Sequence, residues 1–294
     1  MAQADAGSAI HQNQMGMICS IGPPSFRNPQ TALKYFELAV SQRFSPAVSN
    51  LASFFMHDPN GPQDVNKGLE LLFQAAGWGD HSIENQLGFF YQHGIHLAQD
   101  AHRAVEYFRR SADGGDPQGQ YNLGTMFLTG QGVERDAEQG YQWMEKAAEQ
   151  GLSQAMVSMG NMRLTGTGCD YDPIKALKLL TDAGELGNVD AFYALGNGFV
   201  EGAFLTMDMT KAREYYGRAL TAGHLRAHVR MAQLYAAGLG GPQNIVLARQ
   251  LLLIAESKGL AEAREELNMI DECLAQIDSA DSANPKDPNK PTFH

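Results

Sequence analysis

Residues 123–151 read LGTMFLTGQGVERDAEQGYQWMEKAAEQG. A small-residue pair, Leu123-Gly124, opens the stretch, and Phe127 follows one turn later. Gly130-x-Gly132-Val133 interrupts it; Asp136 then precedes Gly140, Trp143 and Ala147-Ala148, and Gly151 closes it. Outward in both directions the same features recur every 36 residues. The pair returns as Met15-Gly16, Leu51-Ala52, Leu87-Gly88, Met159-Gly160, Leu195-Gly196 and Met231-Ala232. A second small position recurs at Ala32, Gly68, Ala104, Gly140, Ala176, Ala212 and Ala248, and the closing position at Arg43, Gly79, Gly115, Gly151, Gly187, Gly223 and Gly259. A period of this size marks stacked repeats, each burying its apolar face against its neighbours, rather than one globular core.

The spacing within a unit is helical. Ile83, Leu87, Gly88 and Tyr91 share one face of a first helix (A), expected near 81–93; Ala104, Tyr107 and Ser111 share a face of a second (B), expected near 101–114. Four residues before each second small position stand Asn28, Asp64, Asp100, Asp136, Asp172, Asp208 and Asn244. Asp and Asn are the side chains that accept from the free N–H groups of a helix start, and Pro29 and Pro173 follow two of them where proline is tolerated. Glycine at the closing position suits the left-handed residue just past a helix end. Each unit is thus helix A, a loop, helix B and a tight turn.

These features give residues 9–259 as seven 36-residue repeats, with the first, where Arg43 and Cys19 depart from the pattern, acting as N-terminal cap. Residues 260–277, carrying Glu262, Arg264, Glu265 and Glu266, are expected to form a polar C-terminal capping helix; residues 1–8 and 278–294 are expected to be disordered.

Composition narrows the function classes. The 44% hydrophobic and 19% charged content suits a folded chain. The net charge of −11 and the absence of a basic stripe argue against nucleic acid as a partner. No apolar run reaches the roughly 20 residues needed to span a bilayer, and the N-terminus lacks the basic and apolar segments of a signal peptide. Three widely separated cysteines, Cys19, Cys169 and Cys273, fit a reducing setting, so the expected location is cytoplasmic.

The unit resembles the Sel1-like repeat, a relative of the tetratricopeptide repeat. Ala191, Leu195, Gly196, Phe199, Gly202, Asp208, Lys211, Ala212, Tyr215, Ala219 and Gly223 carry the resemblance in the sixth unit, and the fourth is about as close. It implies an all-α fold, a right-handed superhelical solenoid of helix-turn-helix repeats, and a scaffold or adaptor role. Departures occur at Arg163, in place of an aromatic, at Leu71, Leu179 and Leu251 in helix B, and in the second unit's loop (His57-Asp58-Pro59-Asn60-Gly61-Pro62), which lacks the G-x-G.

No catalytic motif appears. The G-x-G pairs at Gly130/Gly132, Gly166/Gly168 and Gly238/Gly240 lack the strand and third glycine of a phosphate cradle and fall at one place in the repeat, so they are read as loop geometry. His93, His96 and His102 cluster in one A–B loop, with His57 the repeat equivalent of His93. Their spacing matches no metal motif, and they are read as solvent-facing loop residues. A β-lactamase-like branch of the resembling family has paired cysteines in each repeat; here no repeat holds two. No catalytic residue, metal or cofactor is expected.

One face of helix A is unusual. The positions opposite the core leucine are Asn13, Ser49, Asn85, Tyr121, Val157, Tyr193 and Val229; then Met17, Ser53, Phe89, Thr125, Asn161, Asn197 and Gln233; then Ser20, Met56, Gln92, Leu128, Leu164, Val200 and Ala236. None is charged, whereas at the chain's 19% charged fraction about four of the 21 would be. Helix B carries the charges, as at Arg109-Arg110 and Glu145-Lys146. The stripe is expected to line a concave groove that binds a peptide or partner protein, through Asn85, Phe89, Tyr121, Asn161, Tyr193 and Asn197. Asn side chains suit an extended backbone and aromatics suit anchor contacts. Burial of part of the stripe by curvature, especially at Leu128, Leu164 and Val200, is the competing reading. An inhibitor or immunity-type protein neutralising one partner is the alternative function; a metal-dependent enzyme holding a metal on the histidine cluster is a more distant one.

Overall fold

A computed structural model describes residues 7–59 and 61–283, with side chains at 273 and 277–283 excepted. Among them the fold is all-helical, with helix A and helix B of the repeats in strict alternation. The A helices are α1 (Ala9–Ile21), α3 (Ser45–Met56), α5 (His81–His93), α7 (Pro117–Thr129), α9 (Ser153–Thr165), α11 (Val189–Glu201), α13 (Leu225–Ala237) and α15 (Ala261–Ala283). The B helices are α2 (Pro29–Ser41), α4 (Val65–Gly77), α6 (Ala101–Asp113), α8 (Ala137–Glu149), α10 (Pro173–Glu185), α12 (Met209–Thr221) and α14 (Ile245–Ser257).

All seven expected caps form. Asn28, Asp64, Asp100, Asp136, Asp172, Asp208 and Asn244 each accept from the backbone N–H three residues on, at 2.8–3.0 Å. The backbone N–H of the same residue donates back to helix A, to the carbonyls of Cys19, Phe55, Tyr91, Phe127, Arg163, Phe199 and Tyr235 in turn. This clamp explains why Cys19 and Arg163 are tolerated where the other units have an aromatic: it uses only their backbone.

The small-residue pair lets helix B touch the backbone of helix A. A Cβ on Gly88 would lie 2.7 Å from the Phe108 ring, and one on Gly196 2.5 Å from the Tyr216 ring. Leu87, Phe108, Leu195 and Tyr216 fill the space so made and are buried. At the closing turn, Arg43 adopts the positive φ (55°) that glycine takes in the other units, and its guanidinium lies 5.5 Å from the Trp78 ring.

The chain divides into two compact units, one ending at Leu152 and the other beginning at Ser153. In the first, a buried carboxylate ties successive repeats. Glu84, on α5, receives Arg110 Nη2 at 2.5 Å and His81 Nδ1 at 2.9 Å, while Arg110 Nη2 also donates to the Ala76 carbonyl. In the second, one apolar cluster runs from Ala176 to Ile270. There α15 is held by polar bridges from Arg249 to Asp271, from Gln233 to Glu266 and from Arg264 to Glu256.

The last helix runs to Ala283, six residues beyond the boundary expected at 277, because nothing between Asp271 and Ala283 is a glycine or proline that would stop it. The expected disorder of residues 1–6 and 284–294 lies outside the described residues. No helix is long and apolar enough to cross a membrane, among the described residues.

Candidate interaction site

The uncharged stripe of helix A divides by burial. Asn13, Ser20, Met56 and Val229 are buried; Met17, Ser53, Phe89 and Asn161 are exposed; the remainder, including Leu128, Leu164 and Val200, are half-buried. Curvature thus buries part of the stripe and leaves part of it accessible.

In the first unit its amides stitch neighbouring A helices together. Asn122 Nδ2 donates to Asn85 Oδ1 at 2.8 Å and Asn50 Nδ2 to Asn13 Oδ1 at 2.9 Å; Ser49 Oγ reaches Gln86 Oε1 at 3.3 Å. Each pair is 37 residues apart, one more than the repeat. The Asn85 carbonyl oxygen is thus already engaged within the fold. Phe89, 43% exposed, lies against the His93 ring at 4.3 Å between centroids. Tyr121 is half-buried on α7.

In the second unit the stripe forms a pocket of about 450 Å³. Its floor is the outward face of α11, with Asp190, Tyr193, Ala194, Asn197, Gly198 and Glu201. Val157, Asn161 and Leu164 of α9 form one wall, and His224 and Arg226 at the start of α13 the other. Three of the six expected site residues, Asn161, Tyr193 and Asn197, thus meet in one place. Asn85, Phe89 and Tyr121 belong to the first unit and do not line it.

The pocket's polar groups are pre-set from behind. Tyr216 is buried and donates its hydroxyl proton to Asn197 Oδ1 at 2.6 Å, which leaves the Asn197 amide hydrogens available. Burial raises the Tyr216 hydroxyl far above its usual range, so it remains a donor. Tyr193 stacks on His224 (4.2 Å between centroids, 19° between planes), and Arg230 Nε approaches its hydroxyl at 3.4 Å. His224 Nδ1 accepts from the Ala227 N–H at 3.2 Å and so caps α13; its Nε2 faces Asp190 at 3.4 Å. Burial holds His224 below its ordinary 6.5, against the upward pull of Asp190. The arrangement offers hydrogen-bond donors and acceptors, a fixed aromatic face and a small-residue patch at Ala194 and Gly198 between the carboxylates of Asp190 and Glu201. No nucleophile–base pair is part of it, and no group of three or more His, Cys, Asp or Glu side chains able to hold a metal occurs among the described residues.

The loop histidines do not all face solvent alone. His57 Nε2 and His96 Nε2 stand 2.8 Å apart, and His96 packs edge-on to Phe90. His102 Nδ1 bonds the Gly132 carbonyl at 3.0 Å.

Seven consecutive segments, 12–44, 45–77, 84–116, 117–152, 153–188, 189–224 and 225–260, match the Sel1 repeat. The chain belongs to the Sel1 repeat family. Solved Sel1 folds superpose on nearly all of it. A Sel1 repeat protein from Oxalobacter formigenes is 29% identical, with a TM-score of 0.73 over 91% of this chain and 77% of that one. A protective antigen present in uropathogenic Escherichia coli strains, displaying an SLR fold, is 24% identical with a TM-score of 0.74. That likeness is one of fold; it covers 90% of this chain, which spans only 57% of the antigen's length. A search of the curated proteins found no match.

Sequence reasoning missed several residues of this pocket. Asp190, Glu201, His224 and Arg226 fall outside the stripe, because the pocket's rim comes from the ends of α11 and α13 rather than from their central faces. A signal for His224 did exist: α5, α7, α11 and α13 are preceded by Asp80, Asp116, Asn188 and His224, at multiples of the 36-residue period, and all four accept from the helix start, whereas α9 is preceded by Leu152. The cap series of helix B was read; its helix A counterpart was not.

Proposed function

We propose that this Sel1 repeat chain is a non-catalytic adaptor that binds a partner protein or peptide on its helix A face, with the second unit's pocket as the anchor point. The observation that carries the reading is the convergence of Asn161, Tyr193 and Asn197 on one pocket of about 450 Å³. That volume suits one or two inserted side chains, not a whole helix of 10–12 Å diameter. The partner therefore places a side chain over the Ala194 and Gly198 floor against the Tyr193 ring, while Asn161 and Asn197 bond its flanking backbone. Family membership supports the scaffold reading. The exposed charges of Arg109, Arg110, Glu145 and Lys146 on helix B support leaving that side to solvent. The thiols of Cys19 and Cys169, both free, suit a cytoplasmic setting.

The test is affinity capture from source-cell lysate with wild type, Tyr193→Ala and Tyr121→Ala, each checked by circular dichroism. The reading expects Tyr193→Ala to lose the partner with an unchanged spectrum. Full capture by both variants contradicts it.

A further inference from the structure

The second glycine of the G-x-G loops takes a left-handed backbone: φ is 68° at Gly132, 68° at Gly168 and 73° at Gly240. The equivalent position 36 residues before Gly132 is His96, and it adopts the same conformation, with φ 60°. A residue with a side chain is strained there, and the fourth, fifth and seventh repeats place glycine at this position. What His96 adds is an imidazole beside the Phe90 edge, with its Nε2 2.8 Å from Nε2 of His57, the residue that ends α3. His57 is exposed and His96 half-buried, so solvent reaches the pair.

Two ring nitrogens at hydrogen-bonding distance can also serve as the two arms of a chelate. With metal–nitrogen bonds of about 2.0–2.1 Å, two imidazoles at right angles around one ion place their nitrogens about 2.9 Å apart; a tetrahedral ion needs about 3.4 Å. The 2.8 Å separation matches the right-angled edge of a square-planar or octahedral ion. Imidazole nitrogen in such geometry is the ligand set of Cu²⁺ and Ni²⁺.

We propose that His57 and His96 form a two-imidazole binding site for Ni²⁺ or Cu²⁺, with water completing the coordination. Binding requires both rings as neutral ligands and replaces the hydrogen bond between them. The site belongs to the first unit and is independent of the pocket in the second.

Isothermal titration of the untagged full chain with NiCl₂ tests it, beside His57→Ala and His96→Gly. The second variant removes a ligand and places at a positive φ the glycine found at Gly132, Gly168 and Gly240, so it folds at least as stably. Wild type is expected to bind one equivalent, with a rise of roughly 2–4 °C in unfolding temperature, and to give no response to MgCl₂. Each variant is expected to bind about 100-fold more weakly, since a chelate loses one arm. The Cu²⁺ complex should show coupling to two nitrogens by electron paramagnetic resonance. No binding by wild type, or full binding retained in His96→Gly, overturns the proposal.

Discussion

At the scale of single residues, His224 links the fold to the pocket. Its unprotonated Nδ1 caps α13 while its ring supports Tyr193. Because burial lowers its pKa from 6.5, the folded chain favours the neutral ring. The stability it contributes is complete above pH 6.5 and is lost as the pH falls from there through the folded value. Urea unfolding at pH 7.5 and pH 5 should show a larger loss in wild type than in His224→Asn, whose amide caps the helix but does not titrate. Equal losses would mean that the ring does not couple to the cap. Glu84 makes a second residue-level case. Its carboxylate is buried, and among the described residues Arg110 and His81 pair with it. Arg110→Met strands that charge and should destabilise by about 1–3 kcal/mol in denaturant titrations. Glu84→Gln, which keeps the shape and a hydrogen bond, should cost less.

At the scale of the element, the repeat is closed by a cap that works twice: its side chain starts helix B and its N–H holds helix A. Asp208→Ala removes the first function and leaves the second, so a loss of about 1 kcal/mol is expected. Gly196→Ala tests the other closure. A methyl there lies 2.5 Å from the Tyr216 ring, and overpacking of this kind costs about 1–3 kcal/mol. Since Tyr216 also holds Asn197, the amide resonances of Asn197 should move in the same variant. These closures were legible in the sequence because each is local and repeats without change: a cap, a small residue, a glycine turn. The interior of the stripe was less legible. Asn85 and Asn122 are paired 37 residues apart, a register set by how neighbouring A helices lie against each other, and no single repeat contains it. His57 and His96 escaped for the same reason: their sequence distance of 39 matches no repeat-equivalent pair.

At the scale of the whole molecule, seven near-identical units do not give seven equal surfaces. The A helices of the unit ending at Leu152 use their amides to bridge repeats. In the unit beginning at Ser153, the equivalent positions hold Val157, Tyr193 and Val229, and the face opens into a pocket. This difference predicts that substitutions at Asn161, Tyr193 and Asn197 weaken partner binding more than substitutions at Asn85, Phe89 and Tyr121, with thermal stability as the control for folding. The most direct test is a photo-crosslinking amino acid placed at position 161, with the same amino acid at position 146 on helix B for comparison, irradiated in source cells. Binding in the pocket predicts one discrete crosslinked partner from position 161 and none from 146. Crosslinks to the same partner from 146 alone, or from neither position while the intact chain still captures it, would contradict the account.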